Sequence, residues 1–240
     1  MRAVQLLKDQ FAESPLQARV VPFALFLVLT FLQGQLGEAG RYWMYLGKTL
    51  AGLWLIWLMR PYVAEMRWAL SWEGVVAGVV VFAVWVGLDP YYPRIDGLMV
   101  KLGLSKAKAA ADLPLPWNPF AQFGEASALA WLFVVVRLLG STFVVPPLEE
   151  TFYRSFLYRY IVKADFMVVS LGTYARTPFL ITCVIFGVVH AEWLAGILCG
   201  AAYLGLMIRK QRLGDAMTAH AITNFLLGVW VVWRGAWQFW

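Results

Sequence analysis

Eight stretches of mostly apolar residues follow one another along the chain, separated by shorter polar segments. They cover residues 20–36, 43–59, 73–88, 127–146, 148–162, 177–190, 193–208 and 216–233. A helix needs about 20 apolar residues to cross the hydrocarbon core of a bilayer, so this pattern predicts membrane helices. The stretches of 14 to 16 residues predict helices that are tilted, broken or buried among other helices. The expected fold is therefore all-α.

The composition supports the same class of protein. Hydrophobic residues make up 61% of the chain and charged residues 14%, whereas soluble domains contain about 45–50% and 25%. The net charge of +6 fits basic loops that face anionic lipid headgroups, so it does not indicate a nucleic-acid partner. We expect a multi-pass integral membrane protein in contact with the lipid bilayer.

One polar connection, residues 89–125, is longer than the others. It contains five prolines and a basic group, namely Pro90, Pro93, Pro114, Pro116, Pro119, Lys101, Lys106 and Lys108. A loop of this length fits a lid or substrate-facing segment, and it equally fits a plain extramembrane loop with a short interfacial helix. It divides the chain into N-terminal membrane helices with this loop, residues 1–126, and a C-terminal helical core, residues 127–240.

Two adjacent carboxylates, Glu149 and Glu150, lie in apolar sequence, where an ionised group costs at least about 2.5–3.5 kcal/mol. Pro146-Pro147 predicts the start of a helix just before them. Glu150 and Arg154 are four residues apart and can pair along one helix face. Because adjacent helical residues point about 100° apart, Glu149 is predicted to face a reactive cavity. A helix end with solvated acids is the alternative interpretation.

The only two histidines also lie in apolar sequence. His190 follows Phe186 by one turn, and His220 precedes Asn224 by four residues, so each pair shares a helix face. An imidazole and a carboxamide together can form an oxyanion hole, although a polar clamp between helices would use the same residues. Since the acidic pair, both histidines and the amide fall in the last 100 residues, a shared intramembrane polar cavity within a bundle of about 7–8 transmembrane helices is the simpler explanation.

These residues resemble the three ordered motifs of a known family, the CAAX-protease and bacteriocin-processing (CPBP, ABI) family, which includes type II CAAX prenyl endopeptidases. The resemblance covers roughly residues 125–235. It rests on Glu149-Glu150-x-x-x-Arg154, Phe186-x-x-x-His190 and His220-x-x-x-Asn224.

The resemblance implies an intramembrane glutamic-type endopeptidase that cleaves a membrane-associated or lipid-modified protein or peptide, without a cofactor or a metal. By the same resemblance, Glu149 and His190 activate water, and His220 with Asn224 forms the oxyanion hole. Glu150, Arg154 and Phe186 orient the site. Ala191-Glu192-Trp193 follows the second motif where eukaryotic members have further histidines, which disfavours a prenylated substrate and fits prokaryotic members, including an exosortase-associated subgroup. The resemblance to prokaryotic members implies a location in a bacterial inner membrane.

Two other functions use the same residues. A metal-dependent hydrolase could bind zinc through the two glutamates and two histidines, although no HExxH spacing occurs. A noncatalytic scaffold, immunity or transport protein could use intramembrane acids and histidines as a proton or ion path. The sequence lacks the internal symmetry that transporters often have.

Overall fold

The computed structural model describes residues 2–107 and 115–240, and every regular element in these ranges is a helix, which confirms the all-α prediction. The α-helices are α1 (Arg2–Glu13), α2 (Pro15–Gln35), α3 (Gly40–Met59), α4 (Trp72–Leu88), α5 (Ile95–Lys101), α6 (Pro119–Phe123), α7 (Ala128–Phe143), α8 (Val145–Glu150), α9 (Arg159–Val162), α10 (Arg176–Val188), α11 (Trp193–Lys210) and α12 (Gly214–Arg234). A π-helix, Thr151–Tyr158, joins α8 to α9.

All eight apolar stretches are helical, but not all of them have the length and composition of a membrane span. Five helical segments in the described ranges do: Pro15–Gln35, Trp72–Lys101, Ala128–Val162, Trp193–Lys210 and Gly214–Arg234. The helix α10 is apolar but shorter, and α3 carries a buried lysine, Lys48, near its middle. The prediction of 7–8 transmembrane helices is thus not confirmed. The apolar stretches at 127–146 and 148–162 form one long helical segment, and α3 and α10 do not have the length and composition of a membrane span.

Close helix crossings depend on small residues. α4 packs against α12, and a Cβ placed on Gly78 would lie 2.7 Å from the backbone oxygen of Ala219 and 2.8 Å from the Cβ of Ile222. Small residues allow membrane helices to approach closely in this way. The crossing matters for function because α12 carries His220 and Asn224.

We expect Gly78→Ala to lower the thermal stability of the detergent-solubilised protein, since overpacking against a backbone atom destabilises by about 1–3 kcal/mol. Gly87→Ala is the matched control in the same helix, because a Cβ there meets nothing within 4 Å. It should leave stability unchanged or slightly raised, as alanine is the better helix former. Equal melting temperatures for the two variants would contradict the tight crossing.

A buried ionic cluster joins α2, the segment after α3, and the far end of the helix that carries the two glutamates. Arg19 forms two hydrogen bonds to the Glu65 carboxylate from its Nη2, at 2.7 and 2.9 Å, and Arg159 contacts the same carboxylate at 3.1 Å. Ser155 also donates to Glu65. Burial raises the pKa of Glu65, but Arg19 and Ser155 outweigh it, so the pKa lies below its usual value. The cluster holds the helix that follows Glu149 in a fixed position.

Candidate active site

The helix that bears the two glutamates changes its winding next to them. α8 begins at Val145, with Pro146 and Pro147 in its first turn, as their sequence predicts. After Glu150 the chain continues as the π-helix Thr151–Tyr158. Short π-helical segments inside α-helices are frequently found at functional sites. No feature of the local sequence indicated this change from α-helix to π-helix.

Glu150 is completely buried between two partners. Its Oε2 lies 3.1 Å from Nε of Arg154, which is also completely buried, and its Oε1 lies 2.8 Å from Nδ1 of His220. A carboxylate oxygen accepts hydrogen bonds, so Nδ1 of His220 donates and Glu150 accepts. The free ring nitrogen of His220 is therefore Nε2. The Glu150–Arg154 contact has the spacing that the sequence indicated.

Glu149 is placed differently from its neighbour. It is partly exposed and lines a cavity of about 370 Å³. Its Oε2 is buried, yet no donor in residues 2–107 or 115–240 forms a hydrogen bond to it. Buried polar atoms are rarely left without a partner, so this oxygen is available to a bound molecule.

His190 lies in the turn that follows α10. Its Nδ1 is 2.7 Å from the backbone oxygen of Phe186. A carbonyl can only accept, so Nδ1 carries the proton and Nε2 of the neutral ring is an acceptor. The ring also packs edge-on against Trp85, at 5.6 Å between ring centroids. The histidine is thereby held in one orientation and one tautomer.

Phe186 lies at the centre of the cluster. The Arg154 guanidinium is 4.0 Å from its ring centroid, and the ring centroids of His190 and His220 are 4.7 and 6.4 Å away. Tyr203 stacks on the imidazole of His220, with 5.2 Å between the ring centroids. Since one aromatic ring contacts both histidines and the arginine, Phe186 fixes their relative positions.

Asn224 is anchored through one amide hydrogen. Its Nδ2 donates to the backbone oxygen of Ser141 at 2.8 Å. An amide nitrogen has two hydrogens, so one donor remains. Asn224 and His220 both line the same cavity as Glu149.

The structure thus brings the sequence-predicted site residues together. Five of them line the 370 Å³ cavity, namely Glu149, Phe186, His190, His220 and Asn224. Glu150 and Arg154 lie behind it. Sequence reasoning missed other lining residues, namely Lys48, Trp85, Arg137, Glu192 and Tyr203. The charged ones among these could have been found, because each lies in or beside an apolar stretch, whereas nothing in the local sequence singles out Trp85 or Tyr203.

The start of the long polar connection packs against the site. Arg94 forms an ion pair with the buried Glu192, 2.5 Å apart, and the backbone N–H of Ile95 donates to the oxygen of Ala191. Lys108 lies outside the described residues. The start of the connection therefore contacts the residues that directly follow His190.

No group of three or more His, Cys, Asp or Glu side chains in residues 2–107 and 115–240 has the arrangement of a metal site. The four candidate ligands of a zinc hydrolase, Glu149, Glu150, His190 and His220, do not form such a group. Glu150 is already engaged by Arg154 and His220.

Five helical segments in the described ranges are long and apolar enough to cross a bilayer, which indicates a multi-pass membrane protein. Residues 129–226 match the family described as type II CAAX prenyl endopeptidase Rce1-like. All three motifs lie inside this segment, so the match confirms the resemblance that they indicated, and it points to a CAAX-protease-type membrane hydrolase that acts on a protein or peptide. The chain matches no curated protein and no solved structure.

Proposed function

We propose that this protein is an intramembrane glutamic-type endopeptidase that hydrolyses a peptide bond in a membrane-associated protein or peptide. One observation carries the proposal. Glu149, with an unpaired buried oxygen, lines the same cavity as two histidines of fixed orientation and an amide donor. The family match over residues 129–226 supports the same class of reaction.

Water activation is assigned to Glu149 and His190. The Glu149 carboxylate takes a proton from water while the oxygen attacks the scissile carbonyl carbon, and the same proton then passes to the leaving amine nitrogen. The free Nε2 of His190 accepts the second hydrogen of that water and so orients it, because its Nδ1 proton is held by the Phe186 carbonyl.

Stabilisation of the tetrahedral intermediate is assigned to Asn224 and His220. Asn224 supplies its remaining amide hydrogen. His220 can donate from Nε2 only when its ring is protonated, since Nδ1 already donates to Glu150. The Glu150 carboxylate lies 2.8 Å from the His220 ring, so we assign to Glu150 an electrostatic role that acts through His220. Arg154 and Phe186 are positioning residues.

Asn224→Ala is expected to lower kcat about 10²–10³-fold with little change in KM, because a single oxyanion donor is lost. The variant should remain folded, as Asn224 holds only one hydrogen bond to the backbone. Gln35→Ala, which removes an exposed amide at the end of α2, is the matched control. A kcat for Asn224→Ala within twofold of the control would remove Asn224 from the oxyanion hole.

The reaction itself is tested by comparing membrane peptides in cells that produce the wild-type protein or the Glu149→Gln variant at equal levels. The proposal expects new peptide termini that require Glu149, and the corresponding synthetic peptide should be cleaved by the purified wild-type enzyme. Identical peptide profiles would favour a noncatalytic function. Cleavage that a chelator abolishes and added metal restores would favour a metal-dependent hydrolase.

A further inference from the structure

Two cations lie in the wall of the candidate catalytic cavity without an acidic partner. Lys48 of α3 and Arg137 of α7 line the same cavity as Glu149. Neither forms an ion pair with any carboxylate in residues 2–107 and 115–240. Buried charges in proteins are usually paired, and the Lys48 residue is only 7% exposed.

The contacts of the two cations leave most of their donors unused. Lys48 donates to the Thr30 hydroxyl at 3.1 Å, and its ammonium has two further hydrogens. The Arg137 guanidinium lies 4.5, 4.9 and 5.4 Å from the ring centroids of Trp117, Tyr45 and Trp240. No group in the described part of the chain accepts a hydrogen bond from it. Ring stacking uses the faces of a guanidinium and leaves its in-plane N–H groups free.

The two charges are also close to each other. The Lys48 ammonium is 4.7 Å from the Tyr45 ring centroid and the Arg137 guanidinium is 4.9 Å from it, so they are separated by no more than about 10 Å and repel each other. An anion between them would relieve this repulsion and accept the unused hydrogen bonds. Their arrangement therefore has the form of an anion-binding site.

A second cavity continues from this point. Its volume is about 490 Å³, and it shares Thr30, Lys48, Arg137 and Trp240 with the catalytic cavity. Two more arginines, Arg41 and Arg94, line it, and none of the lining residues in the described ranges is Asp or Glu. We call this cavity the cationic vestibule. Arg94 has acidic partners, Asp89 and Glu192, whereas Arg41 donates to the backbone oxygens of Leu115 and Pro116 and to the Tyr42 hydroxyl.

We propose that the cationic vestibule binds a negatively charged group of the substrate peptide, a terminal carboxylate or an acidic side chain, through Lys48 and Arg137. Because the vestibule and the catalytic cavity share lining residues, a peptide whose scissile bond lies at Glu149 can extend into the vestibule. The arginine fork matches the two oxygens of a carboxylate. This inference rests on the proposed function and adds a charge preference to it.

The test measures binding separately from cleavage. Apolar hexapeptides are synthesised as matched pairs, with a carboxylate or a carboxamide at the C-terminus and with Asp or Asn at each internal position. Their affinity is measured by the thermal stabilisation of the purified Glu149→Gln variant in zwitterionic detergent. The acidic member of at least one pair should bind about tenfold tighter than its neutral partner, as expected for a charge-assisted hydrogen bond.

Substitutions in the vestibule test which residues cause this charge preference. Arg137→Gln and Lys48→Met should abolish the difference between acidic and neutral peptides, and Arg137→Lys should retain part of it. Arg234→Gln is the matched control, because Arg234 also stacks on two tryptophans, Trp230 and Trp233, and lines neither cavity. It should leave the difference intact.

Equal binding of acidic and neutral peptides to the Glu149→Gln protein overturns the inference, and this comparison needs no vestibule variant to fold. A charge preference that survives both Arg137→Gln and Lys48→Met overturns it too. A third result overturns it as well: the peptides show no charge preference, but phosphatidylglycerol vesicles stabilise the protein more than phosphatidylcholine vesicles do, and Arg137→Gln removes this difference. The occupant of the vestibule is then a lipid headgroup. If the wild-type enzyme cleaves peptides without a charge preference, only the anion-binding role of the vestibule is rejected. If binding depends on charge but no peptide is cleaved, only the endopeptidase function is rejected.

Discussion

Glu149→Gln is expected to reduce kcat for peptide cleavage at least about 10²–10⁴-fold, the contribution usually made by a general base. The carboxamide has nearly the same shape but cannot take a proton from water. Stability should be unaffected or slightly higher, because the buried Oε2 of Glu149 receives no hydrogen bond in the described part of the chain. The measurement is single-turnover cleavage of the identified peptide by purified protein, together with its melting temperature.

Two comparisons sharpen this result. Glu149→Asp retains a carboxylate that is displaced by one methylene, so intermediate activity is expected. Glu125→Gln removes an exposed acid from the polar connection and should leave kcat unchanged. Wild-type cleavage by a folded Glu149→Gln protein would end the assignment of Glu149 as the base.

The second large effect concerns the buried pair Glu150–Arg154. Either Glu150→Gln or Arg154→Met alone should lower the free energy of unfolding by about 3–5 kcal/mol. The first leaves the buried Arg154 without its carboxylate, and the second leaves the buried Glu150 with His220 alone. Glu150 and Arg154 are both 0% exposed. Combining the two substitutions removes both charges and should restore most of the stability.

Activity should behave differently from stability in this series. The double variant is expected to fold but to remain slow, because His220 Nδ1 then donates to a neutral amide in place of a carboxylate and the electrostatic contribution of Glu150 is lost. Melting temperature and kcat are measured for both single variants and for the double variant. If the refolded double variant cleaved at the wild-type rate, the electrostatic role of Glu150 would be rejected, and the pair would be purely structural.

Much of the secondary structure could be predicted because helix formation in apolar sequence follows from local composition. Each of the eight apolar stretches is helical, and α8 begins at Val145, next to Pro146-Pro147. The number of crossings could not be read in the same way. It depends on where each helix begins and ends: the stretches at 127–146 and 148–162 join into one helical segment, and α10 is shorter than a membrane span.

The arrangement of the candidate site could also be predicted only in part from the sequence. Spacing alone indicated that Glu150 could pair with Arg154, because i and i+4 residues lie on one helix face. The contact between Glu150 and His220, 70 residues apart, required the packing of α8 against α12. The same holds for Lys48 and Arg137, whose charges were visible in the sequence but whose approach to the cavity of Glu149 was not.

The sequence by itself indicated the class of this protein, its helices and the candidate site residues, because each of these follows from local composition and short-range spacing. Tertiary structure decided what those residues do to one another. It buried Glu150 against His220 as well as Arg154, and it placed Glu149 in the wall of a cavity shared with both histidines and Asn224. It also decided the position of the cationic vestibule, because the residues that line it come from distant parts of the chain.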